Sequence, residues 1–182
     1  MSDQPETSDR TSAGSGDGKD PGEQSTASTQ ERPQPPLVIQ AQYVKDLSFE
    51  VPGAPGIFGE LQKSKPDMQI RIDVQTQNLV ENTHEVVLHI HAECKVTDQV
   101  AFILELSYGG VFTLNVAAEH VRPVLMIECP RLLFPYARQV ISGATLDGGF
   151  LPLMLAPVDF ATLYQRQVQQ QQSDQDQVSD TT

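Results

Sequence analysis

Apolar and polar residues alternate along much of the chain. In Gln69-Ile70-Arg71-Ile72-Asp73-Val74-Gln75 every second residue is apolar, which places Ile70, Ile72 and Val74 on one face of a strand. Residues 84–96 repeat the pattern at greater length. Val86, Leu88, Ile90, Ala92, Cys94 and Val96 point one way, and Glu85, Val87, His89, His91, Glu93 and Lys95 the other. Thr97-Asp98 reads as a short turn into a further strand, Val100 to Tyr108, that stops at Gly109-Gly110. Upstream, Val38 to Val51 reads as a first strand, which Pro52-Gly53-Ala54-Pro55-Gly56 cannot continue. Four alternating strands and a short turn predict an antiparallel sheet with one face buried and one wet.

After Gly110 the period changes. Ala117 to Glu128 suits a short helix limited by Pro123. Pro130 suits the first turn of a second helix, on which Leu133, Tyr136, Val140, Ile141 and Ala144 recur at helical spacings. Pro135 must fall in its first turns or kink it, and Asp147-Gly148-Gly149 ends it. Phe150 to Pro157 reads as a loop. A last helix follows from Asp159, a candidate N-cap, to about Gln169. Strands followed by helices make an α+β domain: a four-stranded antiparallel sheet, a long helix and a shorter C-terminal one.

Composition sets the limits of that domain. Residues 1–36 contain three apolar residues, Met1, Ala13 and Ala27, and residues 167–182 contain two, Val168 and Val178. Segments with so little to bury cannot offset the entropy of ordering them. Residues 1–36 are therefore expected to be a disordered extension, residues 37–168 a packed domain, and residues 169–182 a disordered polar tail. The formal net charge of −12 is also divided, with −4 in the first segment and −3 in the residues after 166. No cluster of Lys and Arg offers phosphates a site, so nucleic acid and anionic membranes are poor partners.

Chemistry-bearing motifs are few. There is no G-x-x-x-x-G-K-[ST], no G-x-G-x-x-G after a strand and no G-x-S-x-G elbow. Cys94 and Cys129 lack C-x-x-C spacing. The N-terminus has no basic start with an apolar run, and no apolar stretch reaches the ~18 residues that span a bilayer. A soluble, cytoplasmic protein is the expectation. His89 and His91, with His84 and Glu93 near, could converge on a divalent ion, since alternate strand residues share a face. The competing explanation is that they form the solvated face of an amphipathic strand. Cys94 falls on the opposite, buried face, where cysteine usually acts as a small hydrophobe.

Two loop-like segments are unusually apolar. Residues 49–58 carry Phe49, Val51, Ile57 and Phe58, and residues 146–157 carry Phe150, Leu151, Leu153, Met154 and Leu155. Such residues either tuck into the core or form a patch for another chain.

Four stretches carry a family resemblance. They are Tyr43-Val-Lys-Asp-Leu-Ser-Phe-Glu-Val-Pro-Gly-Ala-Pro55, Gly109-Gly110-Val111-Phe112, Cys129-Pro-Arg-Leu-Leu-Phe-Pro-Tyr-Ala-Arg138 and Leu153 to Phe160 (LMLAPVDF). Together, and in this order, they resemble the protein-export chaperone SecB over about residues 38–168. The resemblance implies an ATP-independent holdase without a cofactor, a homotetramer built as a dimer of dimers, with unfolded precursor proteins as clients. It implies delivery to the translocase motor ATPase SecA through Asp46, Glu50, Ile103 and Glu105. It also gives the apolar loops a role: Phe49, Val51, Ile57, Phe58, Phe150, Leu151, Leu153, Met154 and Leu155 would border the client groove. Two other readings stand beside it, a SecB-like chaperone dedicated to an antitoxin and a metal-dependent enzyme using His89 and His91. The chain lacks a Trp that family members often carry after the Ala-Pro-x-x-Phe segment.

Overall fold

The computed structural model describes residues 35–179, with side chains to residue 170. Four strands, β1 (Leu37–Glu50), β2 (Asp67–Val80), β3 (Thr83–Val96) and β4 (Gln99–Leu114), form one antiparallel sheet in the order β1-β4-β3-β2. Three consecutive strands are joined by hairpins, and β1 lies beside the last of them. The connection from β1 to β2 therefore crosses from one edge of the sheet to the other, and it carries the single turn α1 (Ile57–Leu61). The expected extension over residues 1–36 lies, except for its last two residues, outside the described residues.

The alternation of β3 assigns the faces. Val86, Leu88, Ile90, Ala92, Cys94 and Val96 are all buried, and on β4 they face Gly110, Tyr108, Leu106, Leu104 and Phe102 in turn, with Val96 at the hairpin end. Helix α3 (Cys129–Asp147) covers this face with Leu133, Phe134, Ala137 and Ile141. Burying one such side chain contributes roughly 1.5–3 kcal/mol. Tyr136, expected on the buried stripe, is instead half exposed. The buried stripe runs through Cys129, Pro130, Leu133, Phe134, Ala137, Ile141 and Thr145, so Leu133 and Ile141 of the expected set lie on it and Val140 and Ala144 pack at its edge.

Two further expectations are corrected. Gly109-Gly110 does not end β4, which runs on to Leu114. Each glycine leaves room for a close approach. A Cβ at Gly109 would come within 2.8 Å of the Tyr43 ring on one face, and one at Gly110 within 2.7 Å of Leu133 on the other. Nor does Pro123 stop the helical run. Helix α2 (Ala118–Pro123) passes into a π-helical stretch, Val124–Glu128, and on into α3. There the Cys129 N–H reaches the Val124 carbonyl, five residues back, and this wider turn carries the chain from Pro123 to Pro130.

The last helix, α4, spans Phe160–Ser179. Asp159 caps it as expected: its Oδ1 accepts from the Ala161 and Thr162 N–H groups at 3.0 and 3.1 Å. The helix continues well past Gln169, where the polar run suggested a structureless tail. Residues 169–179 contain neither Gly nor Pro, and glutamine has good helix propensity. The last three residues lie outside the described ones.

Candidate client groove and docking face

The two surfaces that could meet other molecules lie on opposite faces of the sheet, and β1 contributes to both. On the helix-covered face, Phe49 at the end of β1 begins an aromatic cluster. Its ring centroid is 5.5 Å from that of Phe102 on β4 and 6.0 Å from that of Phe150 after α3. Phe150 also meets Phe102 at 4.9 Å and Phe58 of α1 at 5.3 Å. These tilted and edge-on contacts suit the ring quadrupoles. The two apolar loops of the sequence are thus brought together, although about a hundred residues separate them.

Beside the cluster opens a groove of about 740 Å³ lined by Phe58, Leu61, Met68, Phe102, Phe150 and Leu153, among others. A second, of about 500 Å³, continues along β2 between Ile70, Ile72, Val158 and Leu163. Leu151, in the lining of the first groove, is 89% exposed, and Met154 on the same loop is 66% exposed. Hydrogen bonds fasten this loop to α3: the Phe150 N–H donates to the Thr145 carbonyl at 3.0 Å, Ser142 Oγ reaches Met154 Sδ at 3.7 Å, and the Thr145 side chain adds a third. The buried Thr145 hydroxyl donates to the Ile141 carbonyl at 3.0 Å and accepts from the Leu153 N–H at 2.9 Å. Val51 is half-buried against the core. Two of the candidate client residues are not accessible in this chain. Ile57 is 1% exposed and Leu155 4%: both side chains turn inward from their loops to complete the core.

The opposite face is open and polar. Strand pairing sets its side chains in rungs across all four strands: Asp46–Ser107–His89–Asp73, Ser48–Glu105–His91–Arg71 and Glu50–Ile103–Glu93–Gln69. Asp46, Glu50, Ile103 and Glu105 therefore occupy three successive rungs on β1 and β4. A shallow cleft of about 350 Å³ runs between Asp46, Asp73, His89, His91 and Glu105. Five carboxylates share this patch, and the Lys95 ammonium pairs with one of them, Glu93, at 3.1 Å.

Both histidines are engaged within the sheet. His89 Nδ1 lies 2.9 Å from Ser107 Oγ, and His91 Nδ1 lies 3.2 Å from Glu105 Oε1. Among the described residues no three His, Cys, Asp or Glu side chains are placed to hold a metal ion, so the two histidines find no further ligand. Burial, with a smaller effect of Asp67, pushes the Cys94 thiol up, which disfavours the thiolate that nucleophilic chemistry requires.

The family model described as preprotein translocase subunit SecB matches residues 30–171. The chain belongs to the SecB family. The protein-export protein SecB of Paramagnetospirillum magneticum is 49% identical over 143 residues, covering 79% of this chain and 92% of that one. That of Granulibacter bethesdensis is 52% identical over 159 residues, 82% of this chain and 92% of its own. The SecB-like chaperone of Mycobacterium tuberculosis, solved with a ChAD peptide from the HigA1 antitoxin, aligns with a TM-score of 0.57 at 13% identity. That alignment covers 67% of this chain and 90% of the other, and it shows a shared fold. SecB membership makes this a protein-export chaperone that binds client proteins. No described helix is long and apolar enough to cross a membrane.

Sequence reasoning missed three features of the site. Met68, Ile70 and Ile72 of β2 line the grooves, but their alternation looks like that of any half-buried strand. Thr145 stands in the last turn of α3 with nothing in the sequence to mark its bond to Leu153. Glu85 was read as solvent-facing, yet it is 7% exposed.

Proposed function

We propose that the chain holds unfolded secretory precursors in the groove beside Phe49, Phe58, Phe102 and Phe150, without ATP, and presents them to SecA through the open face of the sheet. The observation that carries the holding role is the solvent-open aromatic groove with the exposed Leu151 in its lining and the exposed Met154 on the same loop. A client segment gains about 25 cal/mol for each Å² of apolar area it buries there. Many small contributions of this kind bind without demanding one sequence, and the flexible Met154 side chain adapts to different partners.

The docking role rests on Asp46, Glu50 and Glu105 standing in adjacent rungs around Ile103. A basic partner surface would meet complementary charge with one apolar contact among it. Self-association into a homotetramer is supported by apolar side chains left uncovered on α3 and β1. Leu132, Tyr136 and Leu146 are exposed on the outer side of α3, and Ile39, Val44 and Leu47 on β1. The site of action is the cytoplasm, where precursors await export. Neither the antitoxin-dedicated reading nor the metal-dependent enzyme has a supporting observation, since the likeness to the antitoxin-bound chaperone is one of fold.

The test is refolding of a chemically denatured precursor with and without excess of this protein, in the absence of ATP. Retarded refolding is the expected result, and an unchanged refolding rate overturns the holdase. Light scattering on the purified chain should give a mass of four subunits.

A further inference from the structure

Strand β1 changes phase twice against β4, at Gln40 and at Lys45, and the second bulge sorts its C-terminal end between the two surfaces. Tyr43 pairs with Gly109 and Val44 with Tyr108, but the next partner of Ser107 is Asp46, so Lys45 is the extra residue. Before the bulge odd-numbered Ala41 and Tyr43 face the open side. After it, even-numbered Asp46, Ser48 and Glu50 do, and Leu47 and Phe49 turn to the helix side. Without the extra residue every side chain from 46 to 50 would change face. The acids would be set against the helices, and Phe49 would leave the aromatic cluster for the open face.

The bulge is held from β3, two strands away. The Lys45 ammonium donates to both Glu85 carboxylate oxygens at 2.9 Å. The Tyr43 hydroxyl donates to the same carboxylate, its ring lying across Gly109 of the intervening β4. Among the described residues Glu85 is the one buried acid, and of its two partners Lys45 is the extra residue itself and Tyr43 stands two positions before it. The hydrogen bond from Tyr43, then that from Lys45, holds its carboxyl below the usual range.

We propose that Lys45 and Glu85 are positioning residues: their pair fixes the β1 bulge and so assigns Asp46, Ser48 and Glu50 to the docking face and Phe49 to the client groove. The functional part of this inference rests on the docking reading above. It makes a prediction opposite in sign to that of charge alone. Lys45→Met makes the face more negative, so by charge alone a basic motor surface would bind it more tightly. If Lys45 positions the acids, the same change weakens binding, by roughly the tenfold that one lost charge-assisted hydrogen bond carries.

The experiment compares the full-length chain with Lys45→Met, Lys45→Arg and Glu105→Lys, measuring SecA affinity and backbone amide exchange. The expected result is weaker motor binding and faster exchange at residues 46–50 in Lys45→Met, unchanged exchange in the β2–β3 ladder, and near-normal behaviour in Lys45→Arg. Equal or tighter motor binding by Lys45→Met, or a Lys45→Arg variant as impaired as Lys45→Met, overturns the inference. Glu105→Lys separates the two claims. If it binds the motor normally, the docking reading fails and the exchange at residues 46–50 alone decides whether the pair fixes the bulge.

Discussion

The ring of Phe49 occupies the space that a side chain at Gly148 would need. A Cβ built at Gly148 overlaps that ring, although the backbone there, at φ −75°, would accept alanine. Gly148 thus does more than end α3: it admits the first ring of the aromatic cluster. Gly148→Ala should displace Phe49 from Phe102 and Phe150 and cost about 1–3 kcal/mol, as overpacking does. Client affinity should fall with it. Thermal unfolding together with binding of a fluorescent precursor segment checks both, and unchanged values would mean that the ring moves aside freely.

Thr145 makes a different kind of contribution. Its hydroxyl gives the Leu153 N–H its acceptor in a part-buried position. Thr145→Val keeps the shape and leaves that donor unpaired, which costs about 1–3 kcal/mol. Thr145→Ser keeps the acceptor and should restore most of the loss. Amide exchange at Leu153 reports the bond directly. It should quicken in Thr145→Val and stay slow in Thr145→Ser.

These two contacts mark where the sequence stopped being informative. The faces of β3 were legible because the period of two continues unbroken over residues 84–96, and one buried face fixes the register. The Asp159 cap was legible because capping is local. Gly109-Gly110 was misread because a glycine that admits a neighbour from far along the chain looks the same as one that ends a strand. The bulge at Lys45 was invisible for a related reason: Val44, Leu47 and Phe49 are out of phase by one residue, and only the partner strand shows which position is skipped. The candidate docking residues came from resemblance, and their common face depends on that skipped position.

Strand β1 should carry a distinctive pH signature. In the fold the Glu85 carboxyl is held below its ordinary value of 4.5 by the Tyr43 hydrogen bond and then by Lys45. Its contribution is therefore full above that value and is lost as pH falls through the lower, folded one. Tyr43 is pushed up to about 12 by burial first and then by its bond to Glu85. Its contribution is full below 10, the ordinary phenol value, and is lost as pH rises through about 12. Denaturant unfolding across pH should show both limbs. Tyr43→Phe should shrink both limbs and Glu85→Gln the acid one, what is left coming from Asp159 on the acid side and from the buried Tyr108, Cys94 and Cys129 on the alkaline side. Identical profiles in the parent and both variants would contradict the coupling.

Docking through the open face predicts a separation of functions. Glu50→Lys with Glu105→Lys reverses charge on adjacent rungs, on the face opposite the aromatic groove. Affinity for SecA should drop by about tenfold or more, since like charges brought together across an interface cost several kcal/mol. Retardation of precursor refolding should be retained. The loss should also ease at high salt, because exposed charges are screened there. A double variant that binds the motor as tightly as the parent would move the docking site elsewhere.

The groove predicts the reverse separation, and exposure selects the residues to change. Ile57 and Leu155 are core, so their substitution would confuse binding with folding, at a cost of about 2–5 kcal/mol for truncation to alanine. Leu151 and Met154 are largely exposed in the folded chain, and polar replacements there remove little packing. Leu151→Gln with Met154→Gln should therefore leave the unfolding midpoint nearly unchanged, because surface substitutions usually stay within about 0.5 kcal/mol. Each lost apolar contact still subtracts from client affinity. A combined loss of about tenfold corresponds to roughly 1.4 kcal/mol, or some 55 Å² of buried apolar area at the usual coefficient. Two side chains of this size can supply that area. SecA affinity, which the docking proposal assigns to the other face, should be unaffected. If the variant still retards precursor refolding at the parent's concentration, clients do not use this loop, and the aromatic groove loses its assigned role.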